Sequence, residues 1–115
     1  MSKISQYLNE HLTGDVTTAD ATRYTYATDG SILAAVPDLV VYPSVTDDIR
    51  KLARFTYQLA QKGHILPMSP RGSGLNQTGA AISDGIIIDT PTHMNRVFEF
   101  DQKQRLVRVQ PGVTL

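Results

Sequence analysis

The stretch that most restricts how this chain can fold is Ser69-Pro70-Arg71-Gly72-Ser73-Gly74-Leu75-Asn76-Gln77-Thr78-Gly79-Ala80. It lies between two short apolar runs, Ile65-Leu66-Pro67-Met68 and Gly85-Ile86-Ile87-Ile88-Asp89. A glycine-punctuated polar run between such segments reads as a loop joining two strands. Its glycines and its small or amide side chains leave successive main-chain N–H groups without steric cover. A bend of this kind can aim several donors at one anion, usually a phosphate. The same residues also suit a connection that merely turns, and the loop alone does not choose between the two.

Two well-known phosphate-binding designs are excluded. The Walker loop ends in Gly-Lys-Ser/Thr, whose lysine reaches the terminal phosphates and whose hydroxyl reaches magnesium. Here Gly79 is followed by Ala80-Ala81. The Rossmann fingerprint, Gly-x-Gly-x-x-Gly, opens a helix. Here the third glycine, Gly79, stands five residues after Gly74, and a strand follows. What remains is a loop between strands whose own amides bind. Arg71 either adds charge beside the anion or braces the loop from outside, and Ser73, Asn76, Gln77 and Thr78 offer side-chain hydrogen bonds.

The flanking sequence has α/β grammar. Asp38-Leu39-Val40-Val41-Tyr42, closed by Pro43, predicts a buried strand. Ser44 or Thr46 is placed to cap a helix over 46–62, and Asp47 and Asp48 suit the positive end of its dipole. Ile49, Leu52, Ala53, Thr56, Leu59 and Ala60 make its apolar face, with Arg50, Lys51, Arg54, Gln58 and Gln61 opposite and Gly63 as the stop. Residues 65–68 form the next strand, so a right-handed parallel crossover is expected. Ile86-Ile87-Ile88-Asp89 is apolar enough to be buried on both faces. Residues 96–100 and 105–110 alternate around Asp101-Gln102-Lys103-Gln104, which predicts an antiparallel hairpin. The fold class is therefore α+β, a small parallel strand–helix–strand unit plus a hairpin.

Upstream, Ile4, Tyr7, Leu8, His11 and Leu12 recur at helical spacing before Gly14. Residues 15–36 show little periodicity and, on composition alone, read as an ordered surface loop with a turn at Asp29-Gly30. The ending Gln110-Pro111-Gly112-Val113-Thr114-Leu115 reads as an interruption in mid-structure.

Composition narrows the chemistry. Lys plus Arg and Asp plus Glu both total 11, so no global basic field attracts nucleic acid. An anion must be held by local geometry. With no cysteine, thiolate catalysis, disulfides and cysteine-held metal clusters are excluded within these residues. His11, His64 and His93 lack close ligand spacing, so no metal is expected. His64 reads as an edge residue, and His93 can approach a cofactor cleft. No apolar run approaches the roughly 20 residues of a membrane span. The N-terminus is not a signal-peptide core, and a cytoplasmic chain is expected.

Read together, the motifs are more specific than any one alone. Val40-Val41-Tyr42-Pro43, Pro70-Arg71-Gly72-Ser73-Gly74 through Gly79, Ile87-Ile88-Asp89 with Met94-Asn95, and Val109-Gln110-Pro111-Gly112-Val113 occur in one order. This set closely resembles the N-terminal half of the FAD-binding domain of the vanillyl-alcohol-oxidase superfamily. The branch it is most similar to is that of FAD-linked D-lactate dehydrogenases and glycolate oxidase D-subunits. Tyr26-Ala27-Thr28-Asp29-Gly30-Ser31 is similar to the lead-in segment of that branch, which revises the surface-loop reading.

The resemblance implies a domain plan in which residues 1–36 are helix and lead-in, and 37–115 are an α/β core, the whole being the truncated N-terminal portion of an FAD-binding domain. It implies that the backbone at Gly72, Ser73, Gly74, Leu75 and Asn76 meets the FAD pyrophosphate, beside Arg71. Gln77, Thr78 and Gly79 would lie nearer the ribityl chain and ring, while Pro43, Pro111, Gly112 and Val113 line the cleft. Leu75 replaces a small residue frequent in the family. Ser73 stands near the position where some members carry a flavin-linked histidine, so non-covalent FAD is expected. The implied activity of the complete protein is oxidation of a 2-hydroxy acid such as D-lactate or glycolate, with catalytic residues beyond Leu115 and a location cytoplasmic or peripheral to the inner membrane. The fragment itself is expected to be inactive. The alternative is a stand-alone nucleotide-binding or assembly module, self-associating through a cut strand edge or apolar cleft.

Overall fold

The computed structural model describes residues 2–114. Its elements are α1 (Ser2–His11), β1 (Asp15–Thr17), α2 (Asp20–Thr25), β2 (Leu39–Tyr42), α3 (Thr46–Gln61), β3 (Met68–Arg71), β4 (Ile86–Asp89), β5 (Val97–Asp101) and β6 (Leu106–Val109). A four-stranded sheet has the order β1-β2-β4-β3, and β5 and β6 form a separate antiparallel pair. β2 and β3 both run parallel to β4, and β1 is antiparallel to β2. The strand–helix–strand unit thus forms as the sequence predicts, with β4 inserted between its two strands.

Alternate residues of a strand face opposite sides of a sheet. Leu39, Val41, Ile86 and Ile88 point to one side, where Leu8 of α1, Leu12 just after it and Leu52 of α3 complete the core. Val40 and Ile87 point to the other side and are equally buried. The inner face of α3 differs from expectation. Asp48, Leu52 and Thr56 are buried, with Phe55 and Leu59 packed at the core margin, whereas Ala53 and Ala60 face solvent. Gly63, with φ +85°, ends the helix as predicted. Its N–H bonds to the Ala60 carbonyl and that of His64 to the Leu59 carbonyl, the paired bonds of a Schellman cap.

The N-terminal cap of α3 is also a correction. Neither Ser44 nor Thr46 is the cap residue; Val45 occupies that position without a side-chain bond. Asp48 does the work from inside the first turn. Its carboxylate accepts from the main-chain N–H of Thr13 at 2.8 Å, and from those of Gly14 and Ser44 at 3.0 Å each. Burial disfavours the charge, but the N–H groups of Ser44, Thr13, Gly14 and Val45 together outweigh it and hold the carboxyl below its usual range.

Two further expectations change. The predicted strand over 65–68 is displaced: Ile65 is exposed and the strand runs from Met68 to Arg71, into the polar stretch. Pairing with β4 from Ile86 to Asp89 sets that register. β3 lies at the edge of this sheet, where Pro70 is tolerated. Residues 15–36 hold structure that their composition does not announce: β1, the two-turn α2, and a bridge between Thr28 and Ala34. The hairpin forms where expected, with both faces exposed.

Asp48→Asn should lower stability by about 1–3 kcal/mol, because an amide can no longer accept from N–H groups at both ends. Its depressed folded pKa means that the contribution is complete above about pH 4 and is lost as pH falls through the folded value. Urea unfolding from pH 7 to pH 3 should show the native protein losing more stability than the variant.

Candidate functional site

Parallel sheets bind ligands at the carboxyl ends of their strands. Here those ends are Tyr42 on β2, Asp89 on β4 and Arg71 on β3. Arg71 pairs directly with Asp89, and Tyr42 follows the Val41–Ile88 pair, so all three belong to one row on the face opposite the main core. A buried strand that ends in an acid must satisfy it. The Tyr26 hydroxyl donates to Asp89 Oδ2 at 2.6 Å and the Thr92 N–H to Oδ1 at 3.0 Å. Burial, reinforced by the hydrogen bond to Asp89, pushes the Tyr26 phenol well above the usual tyrosine range.

Arg71 has its charge turned toward the lead-in. Nη1 reaches the carbonyl oxygens of Thr28 at 2.7 Å, Ala81 at 3.3 Å and Tyr26 at 3.5 Å. The guanidinium also sits 5.1 Å from the centre of the Tyr26 ring. Nη1 thus ties the first residue of the loop to the lead-in.

Beyond Arg71 the chain leaves the sheet as the glycine loop. Among the described residues, no hydrogen bond is donated by the main-chain N–H of any residue from Gly72 to Gln77. Thr78 is the first to donate, from its N–H to Asn76 Oδ1 at 2.7 Å. Gly74 has φ +72°, a conformation that favours glycine, and a Cβ there would meet Arg71 Nε at 2.8 Å and displace the guanidinium. Pro70, residues 72–76 and residues 80–81 line a cleft of about 410 Å³. A larger concavity of about 510 Å³ runs along the hairpin from Glu99 to Val109 and shares none of these residues.

The other predicted residues lie as follows. Pro43 closes β2 and is fully buried. Gly112 is buried with its N–H on the Met94 carbonyl at 2.8 Å, and Thr90 donates both N–H and Oγ1 to the Arg71 carbonyl. A Cβ on Gly112 would meet the Thr90 carbonyl carbon at 2.5 Å. The 110–113 turn is therefore pressed against the residue that joins β4 to β3. Pro43, Pro111, Gly112 and Val113 reach the same end of the sheet but do not line the loop's own cleft. Gln77 and Thr78 are exposed, and Gly79 packs beneath Leu33.

His93 donates its Nε2–H to Asp15 Oδ2 at 2.8 Å and stands edge-on to Tyr42, whereas His64 is exposed beyond the α3 cap. No group of three metal-binding side chains gathers among the described residues. Sequence reasoning did not find the partnership of Tyr26 with Asp89 and Arg71. One signal was present: each of the three parallel strands closes on a polar residue, two of them opposite in charge.

Uncovered main-chain donors in one bend are suited to an anion. A family model described as FAD binding domain matches residues 37–115. The chain belongs to that family, within the vanillyl-alcohol-oxidase superfamily.

It is 42% identical to D-2-hydroxyglutarate dehydrogenase of Escherichia coli K12 over 101 residues, covering 88% of this chain and 10% of that protein. It is 32% identical over 97 residues to glycolate oxidase subunit GlcD of Bacillus subtilis 168, covering 83% and 20%. Among solved structures, alkyldihydroxyacetonephosphate synthase matches with a TM-score of 0.79 at 20% identity, over 98% of this chain and 25% of that one. 6-Hydroxy-D-nicotine oxidase of Arthrobacter nicotinovorans gives 0.66 at 28% identity, over 89% and 22%. The chain thus spans about a tenth of the length of the D-2-hydroxyglutarate dehydrogenases it matches. The α+β fold corresponds to the N-terminal part of such FAD-binding domains.

Gly112→Ala should cost about 1–3 kcal/mol because its methyl would press on fixed backbone. Gly72→Ala, where a Cβ meets nothing within 4 Å, should stay within about 0.5 kcal/mol of the native protein. Paired thermal unfolding measurements check both.

Proposed function

We propose that this chain is the N-terminal portion of the FAD-binding domain of a flavin-dependent 2-hydroxy-acid dehydrogenase, holding FAD without a covalent bond. The observation that carries this reading is that no main-chain N–H from Gly72 to Gln77 is spent on a protein acceptor, while Gly72 to Asn76 line a cleft at the end of a parallel sheet. Gly72, Ser73, Gly74, Leu75 and Asn76 supply the main-chain donors for the diphosphate, a doubly charged group that amide dipoles hold well in a tight bend. Gln77, Thr78 and Gly79 continue toward the ribityl chain, while Pro43, Pro111, Gly112 and Val113 support the same end of the sheet from outside the loop's cleft. Arg71 stands behind the loop.

FAD, when bound, supplies a two-electron acceptor for the hydroxy acid; the chain supplies grip and orientation. No residue of the chain is assigned to catalysis. Residues 72–80 contain no histidine or cysteine to form a flavin bond, which supports non-covalent retention. Residues 1–36 serve as helix and lead-in, and 37–115 as the α/β core.

The identity to D-2-hydroxyglutarate dehydrogenases makes D-2-hydroxyglutarate the first substrate to test, ahead of D-lactate and glycolate. A second reading, a non-catalytic assembly module, draws on the hairpin, where Val97, Phe98, Phe100, Leu106 and Val107 are all exposed. The purified protein should bind FAD with a flavin absorption band and quenched fluorescence. Gly74→Val should weaken that binding roughly tenfold or more, since the loop must leave its φ and its seat on Arg71. Unchanged affinity in the variant would count against the loop. A colourless protein that dimerises with concentration would favour the second reading.

A further inference from the structure

We infer that residues 26–33 form a clasp that holds the glycine loop with its donors uncovered, and that Arg71 is a positioning residue within it and not a ligand of the diphosphate. This rests on reading the loop as the diphosphate site. The question it answers is why N–H groups with no partner stay where they are. Residues 72–78 are largely exposed and have no packing of their own.

What they have is an external frame. Arg71 joins the loop's first residue to the Thr28 carbonyl, and the other edge of its guanidinium lies under Gly74. The Ala81 N–H at the far end of the loop donates to Asp29 Oδ2 at 3.4 Å. Gly30 lies so close to the loop that a Cβ would meet the Leu75 carbonyl oxygen at 2.8 Å and that of Asn76 at 3.1 Å. Leu33 covers Gly79 in the same way.

The frame is itself fixed. Tyr26 is tied to Asp89 at the end of the central strand, Ser31 is tied to the Asp29 carboxylate, and the Ala35 N–H returns to the Ala27 carbonyl at 2.9 Å. A loop held this way presents its donors at no further ordering cost. One released from it is competent only a fraction of the time, and apparent affinity falls by that fraction. Lysine cannot replace arginine here, because an ammonium cannot hold carbonyls on one edge and support Gly74 with the other.

The test uses the purified protein with Arg71→Lys, Arg71→Met and Leu33→Ala, the last being half exposed and so least able to disturb folding. FAD affinity should fall alike in Arg71→Lys and Arg71→Met, roughly tenfold or more, with the native dependence of affinity on salt retained. Without FAD, protease cleavage mapped to residues 72–80 should rise several-fold in Arg71→Lys and Leu33→Ala. Native affinity in Arg71→Lys, or a flattened salt dependence in Arg71→Met, would overturn the positioning role. Unchanged loop cleavage in both flavin-free variants would overturn the clasp. Raised cleavage with no FAD bound by any form of the complete protein, native included, would keep the clasp and overturn the diphosphate reading.

Discussion

The structure depends on β4 being buried on both faces along its whole length, ending in an acid. Ile86 to Ile88 are satisfied by apolar neighbours on either side, but Asp89 cannot be. A carboxylate at that depth needs donors, and the chain meets the need from afar, with Tyr26. That one requirement draws the lead-in across the ends of the parallel strands. Once there, the lead-in presents carbonyl oxygens, and Arg71, in register with Asp89, donates to that of Thr28. The open amides of the loop are thus a downstream result of how the central strand ends.

The parts of the fold readable from sequence are those where hydropathy and local conformational rules act alone. β2, α3, the Gly63 stop, β4 and the hairpin all belong to this class. Expectation departed from structure where tertiary contacts overrode pattern. Asp48 looks like a solvated first-turn charge, but main-chain donors from Thr13, Gly14 and Ser44 converge on it and make burial favourable. Ile65 looks like a strand residue, but the pairing partner lies three positions later in register. β1 and α2 are too short to display a period, and they exist because Val16 and Arg23 find partners on distant segments.

The site divides in the same way. The glycine loop is visible as a run of residue types, because uncovered amides are a local property. What holds the loop is not visible, since its contacts join residues such as Thr28 and Arg71 across 43 positions through main-chain carbonyls that carry no sequence signature. The motif order identifies the family although no single residue in it does. Arg71 shows the limit of that inference: its place in the motif does not reveal that Nη1 is spent on the carbonyl oxygens of Tyr26, Thr28 and Ala81.

The carboxylate of Asp48 also protects an edge. It binds Thr13 and Gly14 across separations of 35 and 34 positions, and those residues lead directly into β1. β1 in turn covers the side of β2 that is not paired with β4. Were β1 to come away, the backbone of Val40 and Val41 would present an open edge on which another molecule could template. The N-terminal segment is thus a guard over the sheet, and Asp48 is the latch that fastens it.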